Sequence, residues 1–322
     1  MQFQQASLAP STLSTYQSGI NNFLKFCAFV SLPSFPLSET VLCLFAAHLA
    51  RTLSHKTIKV YLAGLQFWSI RKGSLIRISS MLQLFYVLRG IKRTLGSSRT
   101  RPRRMPISPA QIRLLIAHIT YTQKNNFDRS MLIAAILTAF FGLLRVSEYT
   151  CPSSNKFDKE VHLSVSDVGI SRGIASILIK ASKTDPFKVG CRVKLGSTGK
   201  AICPVYALQK YIKLRGYFQG PLFVFSSGAF LTRADIVKLL KDCLPASVNI
   251  NTHSFRIGGA SAAASAGLPE TTIKILGRWS SDAYKRYVHF SDDNVINWSR
   301  MIACTQDISH VWDSDILSVV KK

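Results

Sequence analysis

Between residues 40 and 127 the chain has no aspartate and no glutamate. Residues 1–127 hold 16 Lys/Arg against one acid, Glu39, and residues 128–322 hold 25 against 15. Cations without nearby acids cannot form intrahelical ion pairs, so a salt-bridged solvated face is excluded for the first third of the chain. A formal net charge of +25 on 322 residues therefore implies a polyanionic partner, and nucleic acid is the one expected. Paired cysteines are lacking as well. The seven (Cys27, Cys43, Cys151, Cys191, Cys203, Cys243, Cys304) are odd in number and dispersed, with no C-x-x-C. That argues against a disulfide framework or zinc ribbon and for a reducing compartment. There is no H-x-x-x-H or carboxylate cluster for a metal and no G-x-S-x-G for a serine hydrolase. No metal and no cofactor are expected. Long apolar runs are missing too: the longest, Ser130 to Leu144, falls short of the ~20 residues a bilayer needs. The opening MQFQQASLAPS has neither a charged n-region nor an apolar h-region. The expectation is an intracellular protein without membrane contact.

What is present suffices for two domains, since 47% of residues are hydrophobic. Residues 1–98 carry four helical patterns. Leu13, Tyr16, Ile20, Phe23, Leu24 and Cys27 recur at helical spacing, with Ser11 or Thr12 as cap candidates. Ser38 opens a second helix and Ser54 a third. Met81, Leu84, Phe85, Leu88 and Ile91 mark a fourth. Their polar positions include Arg51, Lys56, Lys59, Arg71, Lys72, Arg89, Lys92 and Arg93, read as phosphate-backbone contacts. Residues 99–106 form a basic linker whose Arg101, Arg103 and Arg104 suit phosphate binding or nuclear import. Residues 107–322 form the second domain, opening on a capping box at Ser108, Pro109 and Gln111. Three β-like segments follow, at Val161–Val168, Ile174–Lys180 and Lys188–Leu195, before helices resume at Cys203–Arg215 and Thr232–Leu244. The fold class is mainly α with a small antiparallel sheet in the C-terminal domain.

The chemistry-bearing residues fall in a fixed order. Arg145 ends the apolar Met131–Leu144 helix, with Glu148 three residues on to orient its guanidinium. Lys183 lies in the hairpin-type loop SKTDPF. His253 and Arg256 share the first turns of a helix that Thr252 or Asn251 can cap, a position that favours anions. The Gly/Ala/Ser run 258–266 suits close packing beneath the site, and Gly277-x-Trp279 then leads to Tyr287. Taken singly, His253 reads as readily as a core histidine and Tyr287 as a helix-core aromatic.

In this order, Arg145 with Glu148, Lys183, His253-x-x-Arg256, Gly277-x-Trp279 and Tyr287 resemble the catalytic set of the tyrosine recombinase (phage integrase) family. The wording GLLRVSE, SKTDPF, HSFRIGGAS and GRWSSDAYKRY is most similar to DIRS-like and Crypton mobile-element recombinases. The resemblance implies an all-helical core-binding domain followed by a tyrosine-recombinase catalytic domain. It implies that Tyr287 attacks the scissile phosphate, forming a 3′-phosphotyrosyl link, while Arg145 and Arg256 clamp the non-bridging oxygens. Lys183 then protonates the leaving 5′-oxygen, His253 assists proton transfer, Trp279 packs or hydrogen-bonds where many relatives have His, and Glu148 supports from behind. Tyr284 is a rival nucleophile, and Lys180 and Lys188 are alternative acids. The implied partner is double-stranded DNA, and the implied assembly is a homotetramer on it. The apolar C-terminal positions (Val295, Ile296, Trp298, Met301, Ile302; Val311, Trp312, Ile316, Leu317, Val319, Val320) pack at home or exchange with a neighbour. Localisation is nuclear if the source is eukaryotic. Two other functions remain open: a DNA-binding protein that no longer cleaves, and strand relaxation of the type IB topoisomerase kind.

Overall fold

The structure is a computed structural model that describes residues 7–74, 76–96, 104–183, 185, 187, 189–246 and 249–286. Tyr287, Arg101, Arg103, Lys188 and the apolar positions beyond 290 lie outside the described residues. The chain divides into two compact units, Met1–Pro102 and Arg103–Lys322.

The first unit is built from α1 (Pro10–Phe29), α2 (Glu39–Ala50), α3 (His55–Arg71) and α4 (Leu82–Leu95). The hydroxyls of Ser38 and Ser54 accept from the Val41 and Thr57 amides at 3.3 Å each, the caps expected of them. At α1 neither Ser11 nor Thr12 caps: Ala9 holds the N-cap position and Pro10 the first turn. Pro supplies the fixed φ and needs no donor there. Phe23, Leu42, Phe45, Ile58, Leu65 and Leu84 form the core, whereas Leu24, expected inside, is exposed. Glu39, the lone acid of this region, is spent on structure: its Oε1 accepts from the Leu84 amide at 3.1 Å in the first turn of α4. Arg51, Lys56, Lys59, Arg71, Lys72, Arg89, Lys92 and Arg93 are all exposed. The Lys72 ammonium lies over the Trp68 ring, 4.6 Å from its centroid.

In the second unit α5 (Pro109–Thr122) begins with the expected reciprocal capping box of Ser108 and Gln111. Helix α6 (Asn126–Phe141) follows and is buried along most of its length. It ends at Gly142 and passes through a single turn, α7 (Val146–Tyr149), towards the sheet. Strands β1 (Val168–Ser171), β2 (Ile174–Ile179) and β3 (Cys191–Gly196) form an antiparallel sheet in that order, with Ala175 opposite Leu195 and Ile177 opposite Val193. Those four side chains line the core face, as alternation requires. The first strand is displaced from the expected 161–168, sharing only Val168 with it and running on to Ser171. Asp167 accepts from both the Ser164 amide (2.7 Å) and the Ser164 hydroxyl (2.6 Å), holding 165–167 in a 3-10 turn. The third also starts late, because Asp185 accepts from the Val189 and Gly190 amides at 3.1 and 2.7 Å and keeps that stretch a loop. Helices α8 (Pro204–Arg215), α9 (Arg233–Cys243), α10 (Ser254–Ser265) and α11 (Glu270–Leu276) complete the unit before a 3-10 turn at Asp282–Arg286. Gly258 and Gly259 let α10 approach closely. A Cβ at either would run into the Ile107 or Phe140 carbonyl. No described helix is long and apolar enough to cross a membrane.

Candidate active site

The site is assembled where α6 ends, where α10 begins and where α11 gives way to Trp279. Leu143 has φ of 47°, a left-handed conformation that a branched aliphatic residue adopts only under constraint. Its side chain is pinned in a small cluster with Ala260, Ala264, Ile273, Trp279 and Tyr284. Its carbonyl accepts a short hydrogen bond from Arg256 Nη1. Arg256 is 1% exposed, and its Nη2 donates to the Gly277 carbonyl. The guanidinium carbon lies over the Trp279 ring at 4.6 Å from the centroid, so Trp279 supplies the π face of a buried cation. Gly277 is required by that stack, since a Cβ would enter the indole ring.

Arg145 sits at the N-cap of α7 and Glu148 at its third position. Glu148 Oε2 accepts from the Arg145 amide at 2.9 Å and its Oε1 from Arg145 Nη1 at 2.9 Å. Nη1 also donates to the Ser182 hydroxyl at 3.0 Å. Both of these side-chain contacts use Nη1 and spend its two hydrogens, so they leave the side edge of the guanidinium, Nη2 and Nε, to face an anion. The Ser182 contact brings the β2–β3 loop, and with it exposed Lys183, to the mouth of the site. Lys180, the alternative acid, is engaged elsewhere. Its ammonium lies 2.7 Å from Asp167 and 3.2 Å from the Ser164 hydroxyl.

His253 occupies the N-cap of α10 without a capping bond of its own. Asn251, one of the two expected caps, organises the turn instead: its Oδ1 accepts from the His253 amide at 2.9 Å. Burial, and then the charges of Arg256, Arg104, Arg145 and Lys183, push the imidazole down to about 4. It is neutral at pH 7. These cations act on one ring from four separate segments of chain, which places their charge in a common field.

Of the two candidate tyrosines, only Tyr284 lies among the described residues. Tyr284 is 4% exposed, packs near Trp279 with ring centroids 6.2 Å apart, and donates a short hydrogen bond to Glu270. The Glu270 carboxylate and burial raise its hydroxyl to about 12. A phenol in that setting is a poor nucleophile.

The sequence reading missed two residues that the structure brings in. One is Ser182, whose hydroxyl joins the loop to Arg145. The other is Arg278, the middle residue of Gly277-x-Trp279, whose Nη2 lies 2.8 Å from Glu148 Oε2. The available signal was Glu148: a carboxylate at the end of an apolar helix is buried, and a buried charge needs all its lone pairs satisfied.

No family model and no curated protein matches the sequence. Solved structures do match. The XerH site-specific recombinase, bound to a palindromic difH substrate in a post-cleavage complex, aligns over 90% of this chain and 79% of its own. The TM-score is 0.61 and the identity 16%. The Tn1549 transposon integrase in complex with transposon right end DNA aligns over 91% and 99%, with TM-score 0.55 and 15% identity. A lambda integrase dimer bound to a COC′ core site aligns over 88% and 72%, with TM-score 0.56 and 13% identity. A mainly helical chain with one three-stranded antiparallel sheet, superimposable on all three, has the tyrosine-recombinase fold.

Proposed function

We propose that this protein is a site-specific DNA recombinase of the tyrosine class, which cuts and rejoins strands through a 3′-phosphotyrosyl intermediate. One observation carries the reading. Arg145, Arg256, Lys183 and Arg104 all act on His253, and the buried acid at the site, Glu148, is already bonded to Arg145 and Arg278. Positive charge held in excess around a part-buried imidazole stabilises an anion whose charge grows during reaction. A phosphodiester passing through a five-coordinate state is such an anion.

In the proposed step the Tyr287 hydroxyl oxygen bonds to phosphorus and the bond from phosphorus to the 5′-oxygen breaks. The phenolic proton passes to neutral His253, and Lys183 supplies a proton to the departing 5′-oxygen. Arg145 and Arg256 take the non-bridging oxygens. The new ester keeps the energy of the old one, so the step runs back when another strand's 5′-hydroxyl attacks. The hydrogen bond from Tyr284 to Glu270 supports giving this role to Tyr287 instead. The exposed cations of the first unit hold the duplex through its phosphates, making affinity fall steeply with salt. Working as a tetramer with exchanged C-terminal segments, on the DNA of a mobile element and in the nucleus of a eukaryotic host, completes the reading.

The test uses duplex sites selected by binding from a random library. Paired sites should exchange strands, with adducts visible on nicked substrate. Plasmid relaxation without exchange would favour the topoisomerase-like activity. Binding with no adduct would favour a protein that no longer cleaves.

A further inference from the structure

Arg278 has no part in the step above, yet it touches the anchors of both proposed clamp arginines. Its Nη2 lies 2.8 Å from Glu148 Oε2 and 3.3 Å from the Leu143 carbonyl oxygen. Glu148 is the carboxylate that holds Arg145, and the Leu143 carbonyl is one of the two that hold Arg256. Arg278 also sits in a left-handed conformation, φ 55°, where a non-glycine residue is strained. Its Nη1 is buried without a hydrogen-bond partner among the described residues. A residue carrying both penalties at one site is better explained by function than by stability.

We infer that Arg278 is a positioning residue for strand cleavage, fixing Glu148 and the Leu143 carbonyl so that Arg145 and Arg256 meet the phosphate preorganised. The inference rests on the DNA-cleavage reading proposed above. With Arg278 present, Glu148 divides its two oxygens: Oε1 takes the Arg145 guanidinium, and Oε2 takes Arg278 and the Arg145 amide. Without Arg278, Oε2 keeps only the Arg145 amide and can turn towards the Arg145 guanidinium alongside Oε1, approaching a bidentate pair. That pairing would draw its fork off the phosphate and lower its effective charge there. The bond from Arg278 to Leu143 works in the same sense, holding in place a carbonyl that a strained backbone turns towards Arg256.

The discriminating variant is Arg278→Gly, because glycine accepts this φ without a Cβ and keeps the turn while removing the guanidinium. Single-turnover adduct formation on a nicked duplex should slow by about 10- to 100-fold, the scale of a small misplacement of reacting groups. DNA affinity should stay within about threefold, since the lost group touches no phosphate. Arg278→Lys should recover much of the rate, because one ammonium can reach both Glu148 and the Leu143 carbonyl. In a Glu148→Gln background, Arg278→Gly should cost little more, the non-additivity of groups acting through one another. A wild-type rate in Arg278→Gly, or losses that simply add, would overturn the inference. Orthovanadate binding, followed by the His253 ring resonances, separates this from failure of the cleavage reading. If the wild type forms no adduct, that reading falls, while equal vanadate affinity in wild type and Arg278→Gly would independently overturn the role given to Arg278.

Discussion

Acidification tests the charge of the site most sharply, because His253 reports it. Its pKa stands near 4 against an ordinary 6.5, through burial and the cations around it. At about 1.4 kcal/mol per pH unit the protein disfavours the imidazolium by about 3 kcal/mol, less whatever solvent screens at the part-exposed ring. Between the two values the unfolded chain binds the extra proton and the folded chain does not. Stability contributed this way is therefore complete above about pH 6.5 and is lost as pH falls towards 4. A bound phosphate reverses the balance. One negative charge about 4 Å from the ring contributes about 4 kcal/mol at an effective dielectric of ~20, enough to bring the pKa back to its ordinary range. Ring-proton NMR titration, with the resonance assigned by His253→Gln, reads both states. The free protein should titrate below about 5, and a complex of Tyr287→Phe with uncleaved duplex at about 6 or above. A free value at the ordinary 6.5, or one that DNA leaves unmoved, would refute the convergence of these cations on His253.

Other consequences follow from the same geometry. Lys183→Ala should abolish adduct formation on ordinary DNA but not on DNA with a 5′-bridging sulfur, which leaves without a proton. Lys180→Ala, breaking the pair with Asp167, should show no such selective rescue in the same cleavage assay. Gly277→Ala forces a methyl group against the Trp279 ring and should cost about 1–3 kcal/mol in denaturant unfolding, with activity falling as the Arg256 stack is displaced. Glu148→Ala leaves two arginines without their shared carboxylate and should cost about 3–5 kcal/mol, seen as a marked fall in Tm.

Much of this was legible in the sequence because local chemistry decides it. Ser38, Ser54 and the Ser108/Gln111 pair announce helix starts through short-range hydrogen bonds that the structure makes as expected. The small-residue run at 258–266 announces close packing, and α10 meets the Ile107 and Phe140 carbonyls there. The strand limits were less legible, since Ser164–Asp167 and Asp185 divert apolar stretches into turns by side-chain bonds that apolar periodicity does not register. Arg278 was hidden for a different reason. Its partner, Glu148, is 130 residues away, and nothing local in Gly-Arg-Trp says where a guanidinium will point. The setting of Tyr284 could be seen only in tertiary structure, which seats it against Glu270 and Trp279.

The central claim is that a tyrosine of this chain becomes esterified to DNA, and trapping on a nicked duplex site tests it most directly. The wild type and Tyr284→Phe should both leave a covalent protein–DNA adduct that survives denaturation, and Tyr287→Phe should leave none. An adduct that persists in Tyr287→Phe, or its absence from wild type on a site the protein demonstrably binds, would contradict the account.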